Sequence, residues 1–223
     1  MADVAAFDFD GTLTQGGSVF DFLTAVAGRG AVLRATAELA PRLAQAAVAG
    51  GSLADDTKEQ LFVRVLAGVD AGHFREVAEE FAVSHMAAHA RPDVRRRLDW
   101  HRGRGDKVAI VSASPLAYVE VIADRLAADT AIATVLEVDD AGRLTGRYEG
   151  GNCRGEEKIR RLRVWMAESG IEDSALWAYG NSRGDLHMLR AADTGVNVGR
   201  LGRLSRLREF RGLDETGPPR LDR

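Results

Sequence analysis

Two carboxylates lie one residue apart at the end of an apolar run near the start of the chain. The run is Val4-Ala5-Ala6-Phe7, and Asp8-Phe9-Asp10-Gly11-Thr12-Leu13-Thr14 follows it directly. Because residues two apart in a strand point to the same side, the side chains of Asp8 and Asp10 can converge on one small volume. Ionised carboxylates at the end of a buried strand must be paired or solvated. Such a volume suits a hard cation, a phosphoryl group, or both.

Two later segments carry groups that suit an anion. Ser112 follows the apolar run 107–111 and precedes a helix predicted to open at Pro115, where free backbone N–H groups can bind an anion. Arg154 and Lys158 lie at the start of another predicted helix, where the helix dipole disfavours cations. A neighbouring phosphate would explain these cations.

A third segment carries oxygen ligands. Asn181 and Asp185 follow a predicted strand at 175–179 and precede a helix. Their amide and carboxylate oxygens suit Mg²⁺.

The elements that must position these groups alternate between strand and helix after Pro92. The alternation predicts an α/β fold with a mostly parallel sheet and helices on both faces, and the first strand belongs to that sheet. The predicted elements are helix 92–102, strand 107–111, helix 115–126, strand 131–134, hairpin 135–148 with its turn at 139–142, helix 155–169, strand 175–179, helix 183–191 and strand 195–198. Ligands bind at the carboxyl ends of strands in such sheets.

The segment between the first strand and Pro92 reads as helix throughout. Helices are predicted at 18–27, with Ser18 as its cap, and at 31–48, 55–67 and 71–90, separated by glycines. Consecutive helices with short connections favour an antiparallel bundle. We therefore expect a core of residues 1–14 and 91–223, with residues 15–90, which we call the cap, inserted over the strand ends.

Four motifs occur in a specific order, DFDGTLT at 8–14, VSAS at 111–114, NCRGEEK at 152–158 and GNSRGD at 180–185. With this order the chain resembles the haloacid dehalogenase superfamily of phosphohydrolases, and within it the phosphoserine phosphatase-like subfamily IB. The resemblance spans residues 4 to about 199. It implies a Rossmann-like core with an inserted helical cap of the C1 type.

The resemblance also implies roles for the motif residues. Asp8 would be the nucleophile that forms an aspartyl-phosphate, and Asp10 the general acid and base. The implied phosphate-binding candidates are Ser112, Ala113, Lys158 and Arg154, and the implied Mg²⁺ ligands are Asp8, Asp10 through its backbone carbonyl, and Asn181 or Asp185. Two choices stay open at this point, namely Asn181 or Asp185 for the metal and Lys158 or Arg154 for the phosphate.

The cap is expected to control which leaving group enters. Candidate substrate-contacting residues in it are Ser18, Asp21, Lys58, Arg64 and Gln60. Phosphoserine phosphatases use an acidic residue soon after the first motif, whereas this chain has Gln15-Gly16-Gly17-Ser18 there, with Asp21 as the nearest acid. Phosphoserine is therefore a possible substrate and not the preferred one.

The leading interpretation is a Mg²⁺-dependent phosphomonoesterase acting on a small or amphiphilic metabolite of the phosphoserine, histidinol-phosphate or glycerophosphate type. One alternative is a phosphotransferase that passes the same aspartyl-phosphate to an alcohol. The other is a non-catalytic phosphate-binding module, for which Asn181 is the only support.

Composition narrows the partners. A net charge of -3 and a pI near 6.0 give no general attraction to nucleic acid or anionic lipid, which leaves a small phosphate ester as the expected partner. No apolar stretch reaches the roughly 18 residues that span a bilayer. The start of the chain has no features of a signal or transit peptide. Cys153 is the one cysteine, so no internal disulfide forms, and we expect a cytoplasmic location.

Two further patterns have plainer interpretations. His85 and His89 have the four-residue spacing of a metal pair, but no carboxylate motif completes a zinc site, and we interpret them as surface or interdomain residues. The arginine-rich segment after Gly199 alternates with leucines and is predicted to be a docked amphipathic helix.

Overall fold

One seven-stranded sheet runs through the part of the chain that the computed structural model describes, residues 2–199 and 209–216. Its strands are β1 (Val4–Phe7), β2 (Lys107–Pro115), β3 (Thr130–Val138), β4 (Leu144–Glu149), β5 (Leu176–Gly180), β6 (Thr194–Asn197) and β7 (Arg211–Gly212). They lie in the order β4-β3-β2-β1-β5-β6-β7. All neighbouring pairs are parallel except the hairpin of β3 and β4. The predicted mostly parallel α/β sheet is confirmed.

The helices cover both faces of this sheet. They are α1 (Val19–Ala27), α2 (Arg29–Ala49), α3 (Gly51–Leu66), α4 (Ala71–His89), α5 (Pro92–Arg104), α6 (Leu116–Leu126), α7 (Glu156–Glu168) and α8 (Leu186–Ala191). Side chains along β1 point alternately to the two faces of the sheet. Ala5 and Phe7 pack in the cluster with α5 and α6, whereas Val4 and Ala6 pack in the cluster with α7 and α8. None of these helices is both long enough and apolar enough to cross a membrane.

The position of β1 explains why the motifs meet. Phe7 is paired with Ile110 of β2 on one side and with Tyr179 of β5 on the other. Because the three strands are parallel, the residues that follow these positions lie toward the same carboxyl edge of the sheet. Asp8 is among them.

Ser112 differs from its predicted setting. β2 does not end at residue 111 but runs on to Pro115, with an irregular register against β3 after Val111. Ser112 therefore lies within the strand and not at the N-terminus of a helix. The helix begins later, at Leu116. The strand is longer than predicted because β2 still pairs with β3 beyond Val111. Pairing between two strands is not visible in the sequence of one strand.

Helices α1 to α4 make up the cap, and the chain enters and leaves it at one place. Thr14 and Ala90 form an antiparallel bridge. The Gln15 N–H donates to the His89 carbonyl at 2.8 Å, and the Arg91 N–H donates to the Leu13 carbonyl at 2.9 Å. We call these paired segments, 13–15 and 89–91, the hinge. They support the proposed boundaries of the cap at 15–90.

The predicted helix after Gly199 falls mostly outside the described residues. Of its arginines only Arg211 is described, and it lies on β7 rather than on a helix.

Candidate active site

A buried lysine joins two carboxylates at the carboxyl edge of the sheet. The Lys158 Nζ donates to Asp8 Oδ1 and to Asp185 Oδ1, each at 2.6 Å. The three residues are 2%, 5% and 1% exposed, respectively. Asp8 follows β1, Lys158 lies in the first turn of α7, and Asp185 ends the short turn after β5. Residues distant in sequence therefore form one charged cluster with an excess of negative charge.

The charges in this cluster depend on one another. Burial alone would lower the pKa of Lys158, but the carboxylates of Asp185 and Asp8 raise it above its ordinary value, so the ammonium stays charged. Burial and the Asp185 carboxylate raise the pKa of Asp8 to about 7, and Lys158 opposes them. Positive charge added beside Asp8 would favour the carboxylate form that nucleophilic attack requires.

A buried oxygen next to Gly11 is left unpaired. Among the described residues, the Oδ1 of Asn181 has no hydrogen-bond partner. Gly11 lies against this side chain, because a Cβ built there would be 1.9 Å from Asn181 Nδ2. Buried oxygens without partners are rare and call for a ligand. A hard cation held by oxygens, as Mg²⁺ is, fits this set of donors.

Both side-chain oxygens of Asp185 already accept hydrogen bonds, unlike the Oδ1 of Asn181. Its Oδ2 accepts from the N–H groups of Asn181 and Ser182, at 3.2 and 2.9 Å, and from the Ser182 hydroxyl at 2.8 Å. Its Oδ1 accepts from Lys158. These contacts favour Asn181 as the direct metal ligand and Asp185 as the residue that positions Lys158 and the turn.

Asp10 is held by hydrogen bonds from both domains. Its Oδ1 accepts from the Ser18 N–H at 2.8 Å, and its Oδ2 accepts from the Ser114 hydroxyl. The Ser18 Oγ lies 2.6 Å from the buried Tyr118 hydroxyl. Ser18 therefore does not use its side chain to cap α1, and it supports Asp10 instead. Nothing in the sequence pointed to Tyr118, and the second serine of the VSAS motif was the only signal for Ser114.

The phosphate candidates Ser112 and Ala113 of β2 precede Ser114, whose hydroxyl donates to Asp10. Ser112 is 1% exposed, and its Oγ accepts from the Ser114 N–H at 3.0 Å. The Ala113 carbonyl accepts from Lys58 at 2.5 Å and from Thr134 at 2.8 Å. Thr12 was not singled out from the sequence, although its hydroxyl donates to Asp8 Oδ2 at 2.8 Å and so orients the nucleophile candidate.

Lys58 of the cap contacts the core. Besides Ala113, its Nζ contacts Asn152 Oδ1 at 3.3 Å. Burial lowers the pKa of Lys58 to about 8, against the opposing effect of Asp10 and Asp55. Asp55 also reaches across, because it accepts from Asn152 Nδ2 at 2.6 Å. These contacts join α3 to the third motif.

Arg154 contacts the cap. Its guanidinium is 3.6 Å from Asp55 of the cap, and no contact between Arg154 and Asp8 is present among the described residues. Of the two candidate cations, the structure thus brings Lys158 to Asp8 and Arg154 to the cap.

The other cap candidates do not reach the cluster. Arg64 pairs with Glu38 at 3.3 Å on the outer surface, where Gln60 accepts from Arg42 at 2.8 Å. Asp21 is exposed and lies near His85, which is 4% exposed, so of the two predicted settings, surface or interdomain, His85 does not take the surface one.

A cavity of about 950 Å³ opens between the cap and the core. Lys58, Asp55 and Arg154 line it on the polar side. Its apolar wall comes from α1, α2 and α3 and includes Val19, Phe20, Leu43, Ala46 and Leu61. The cavity therefore offers charged groups next to apolar space, and Asp8, Asp10 and Lys158 are not among the described residues that line it.

The chain is similar to known proteins over most of its length. The family model described as haloacid dehalogenase-like hydrolase matches residues 5–190. Protein CicA of Caulobacter vibrioides is 35% identical over 85% of this chain and 83% of its own length. A phosphoserine phosphatase of Streptococcus thermophilus is 31% identical over 85% and 80%. A histidinol-phosphatase of Neisseria meningitidis serogroup C is 27% identical over 89% and 90%.

A solved structure shares the fold. The structure described as a phospho-aspartyl intermediate analogue of phosphoserine phosphatase has a TM-score of 0.63 and 20% identity, over 88% of this chain and 86% of that chain. At this identity the similarity establishes the fold alone.

Proposed function

Because this chain belongs to the haloacid dehalogenase-like hydrolases and is a phosphatase, we propose that it hydrolyses phosphomonoesters with Mg²⁺ through a covalent aspartyl-phosphate on Asp8. The observation that carries this proposal is the buried cluster in which Lys158 contacts both Asp8 and Asp185 at 2.6 Å. A nucleophile candidate and a phosphate-binding cation thus share one small volume. The unpaired Oδ1 of Asn181 supplies a position for the metal.

The residues divide the work between them. When bound, Mg²⁺ supplies the positive charge that lets an anionic nucleophile approach an anionic ester. Asp8, oriented by Thr12, attacks phosphorus, and Lys158 offsets charge on the phosphoryl oxygens. Asp10 gives a proton to the leaving alkoxide and then takes one from the water that hydrolyses the aspartyl-phosphate.

The cavity supports a substrate with an apolar portion. A phosphate at Asp8 would place the rest of the substrate toward Lys58 and the apolar wall of α1 to α3. The relatives named above act, by their names, on phosphoserine and on histidinol phosphate. We propose a small or amphiphilic phosphorylated metabolite of this kind, including glycerophosphate-like esters, and not phosphoserine as the preferred one.

The test is a screen of phosphorylated metabolites that compares kcat/KM with Mg²⁺ and with EDTA. We expect inorganic phosphate to be released with Mg²⁺ and not with EDTA. We also expect a higher kcat/KM for esters with an apolar portion than for phosphoserine. No release from any ester, an aryl phosphate included, would reject the hydrolase. Added glycerol that becomes phosphorylated would identify a phosphotransferase instead.

A matched pair of variants tests the cavity separately. Leu43→Gln makes the apolar wall polar and is expected to raise KM for amphiphilic esters with little effect on phosphoserine. Leu33→Gln, at an exposed position of the same helix, serves as the control. Equal effects of the two substitutions would contradict the cavity as the binding site for the substrate's apolar portion.

A further inference from the structure

A second cluster of potential ligands lies next to the hinge. Asp21 of α1 and His85 and His89 of α4 each bring one ligand atom to within 4.8 Å of the others. Asp21 belongs to the first helix after the hinge, and the two histidines belong to the last turns before it. No carboxylate motif accompanies the two histidines in the sequence. The fold brings in the Asp21 carboxylate, from a helix more than 60 residues away.

One member of this cluster is buried without a partner. His85 is 4% exposed, and its Nε2 has no hydrogen bond within the part of the chain that the structure describes. Its ring stacks on Phe81 at 5.0 Å and lies 6.0 Å from Phe9 of the core and 4.6 Å from His89. A buried imidazole nitrogen without a partner costs free energy that a bound ligand would recover.

The chemistry of these three side chains indicates which class of ion they would bind. Two imidazoles four residues apart on one helix, with one carboxylate, are ligands typical of Zn²⁺ and similar ions, whereas Mg²⁺ prefers oxygen. Ligand atoms around a tetrahedral zinc lie roughly 3.3 Å apart, given bonds of about 2.0 to 2.1 Å. The ligand atoms lie within 4.8 Å of one another, and the exposed Asp21 would have to move toward the histidines when an ion binds. Three protein ligands leave a fourth position for water.

We propose that Asp21, His85 and His89 form a binding site for a zinc-like divalent ion that ties α1 to α4 at the hinge. The His89 carbonyl already accepts from the Gln15 N–H, so an ion at this place would hold both hinge segments together. The site is separate from the proposed Mg²⁺ site and uses none of its residues. Its consequence is a cap in which α1 and α4 are more firmly fixed to each other when the ion is bound.

Zinc binding tests this proposal directly. The full chain is titrated with Zn²⁺ in excess Mg²⁺, which occupies the proposed catalytic site, and the bound ion and the Tm are measured. We expect one Zn²⁺ per chain and a higher Tm. His89→Asn and Asp21→Asn, both at positions that are not fully buried, should each weaken binding at least ~10-fold. The control His73→Asn changes an exposed histidine of the same helix and should bind as the unaltered chain does.

Cobalt separates this site from the catalytic one. The visible absorption of Co²⁺ bound at the cluster should be lost in His89→Asn and kept in Asp8→Asn. The opposite pattern would place the ion at the catalytic site and overturn the proposal, as would equal Zn²⁺ affinity in His89→Asn and His73→Asn. Because binding is the readout, the result does not depend on whether the chain hydrolyses phosphate esters.

Discussion

Lys158 is a buried cation held by two buried carboxylates, and each of the three depends on the others. Removing one partner of a buried ion pair leaves an uncompensated charge and costs about 3 to 5 kcal/mol. The Lys158 ammonium lies 2.6 Å from both Asp8 and Asp185, so it shields the nucleophile candidate from a like charge. The same ammonium is available to a phosphoryl group that arrives at Asp8.

Substitution of the two cations tells them apart. We expect Lys158→Met to lower kcat at least ~100-fold, because it removes charge stabilisation at the reacting group. Arg154→Met should mainly raise KM, because Arg154 lies toward the cap beside Asp55. Steady-state kinetics measures both effects, and circular dichroism checks that each variant is folded. Loss of kcat in Arg154→Met alone would reverse the assignment.

Asn181 is expected to set the Mg²⁺ requirement. Asn181→Ala removes the unpaired oxygen and should raise the half-saturating Mg²⁺ concentration about 10-fold. Asn181→Asp replaces the amide oxygen with a charged one and should lower it. Activity is measured against Mg²⁺ concentration for the three proteins. One shared Mg²⁺ requirement would show that Asn181 is not a ligand.

The sequence was informative at this scale where chemistry is local. The order of the motifs pointed to Asp8, Lys158 and Asp185, and the structure brings these three into contact. It was uninformative where partners are set by packing. Tyr118 lies 100 residues from Ser18, and their hydrogen bond exists only because the cap rests on α6.

At the level of elements, the hairpin of β3 and β4 supports the cap. The backbone N–H of Tyr148 in β4 donates to Glu59 of α3 at 2.9 Å. Gly146 in the same strand lies so close to α3 that an added Cβ would be 2.4 Å from Val63 Cα. The hairpin thus fixes how α3 presents Lys58 to the core.

Two glycine variants test that contact. Gly146 and Gly142 have similar positive φ values of 78° and 75°, so alanine strains both by about 1 kcal/mol. At Gly146 it also meets the backbone of α3, which costs about 1 to 3 kcal/mol more, whereas nothing lies within 4 Å of Gly142. We therefore expect Gly146→Ala to lower the Tm further than Gly142→Ala. Equal decreases would mean that α3 does not press on the hairpin.

The lowered pKa of Lys58, in α3, should make the free energy of unfolding depend on pH. This pKa is lowered from 10.5 to about 8 in the folded chain, so the unfolded chain binds more protons between these values. The free energy of unfolding should therefore rise with pH across this interval, relative to Lys58→Gln. Urea unfolding at about pH 7 and about pH 10 measures this difference. Parallel pH profiles for the two proteins would contradict the burial of the Lys58 ammonium.

Element bounds followed from the sequence where periodicity and glycines agree. The predicted helices at 18–27 and 71–90 correspond to α1 and α4. The bounds of β2 and α3 were wrong by several residues. β2 is extended by pairing with β3, and α3 begins at Gly51 rather than at Asp55, directly after a Gly50 with a φ of 66°. Pairing and positive φ at consecutive glycines are not visible in a pattern of apolar residues.

At the scale of the whole molecule, the chain is arranged as a sheet edge that carries the charged cluster and a helical cap that faces it. The cavity of about 950 Å³ lies between them and is lined by residues of both parts. The cap's position is fixed at the hinge and through the contacts of Lys58 and Asp55 with the core. Ser18 of the cap donates its backbone N–H to Asp10, so the cap contacts the residue that we propose for proton transfer.

The central claim is that Asp8 forms the covalent bond to phosphorus. Phosphate release from an aryl phosphate with Mg²⁺ is measured for the unaltered chain, for Asp8→Asn and for Asp99→Asn, an exposed aspartate that pairs with Arg95. We expect Asp8→Asn to lose at least ~1,000-fold in kcat, as removal of a nucleophile does, while it keeps its fold and Asp99→Asn keeps its activity. An Asp8→Asn protein that releases phosphate at the rate of the unaltered chain would contradict the account.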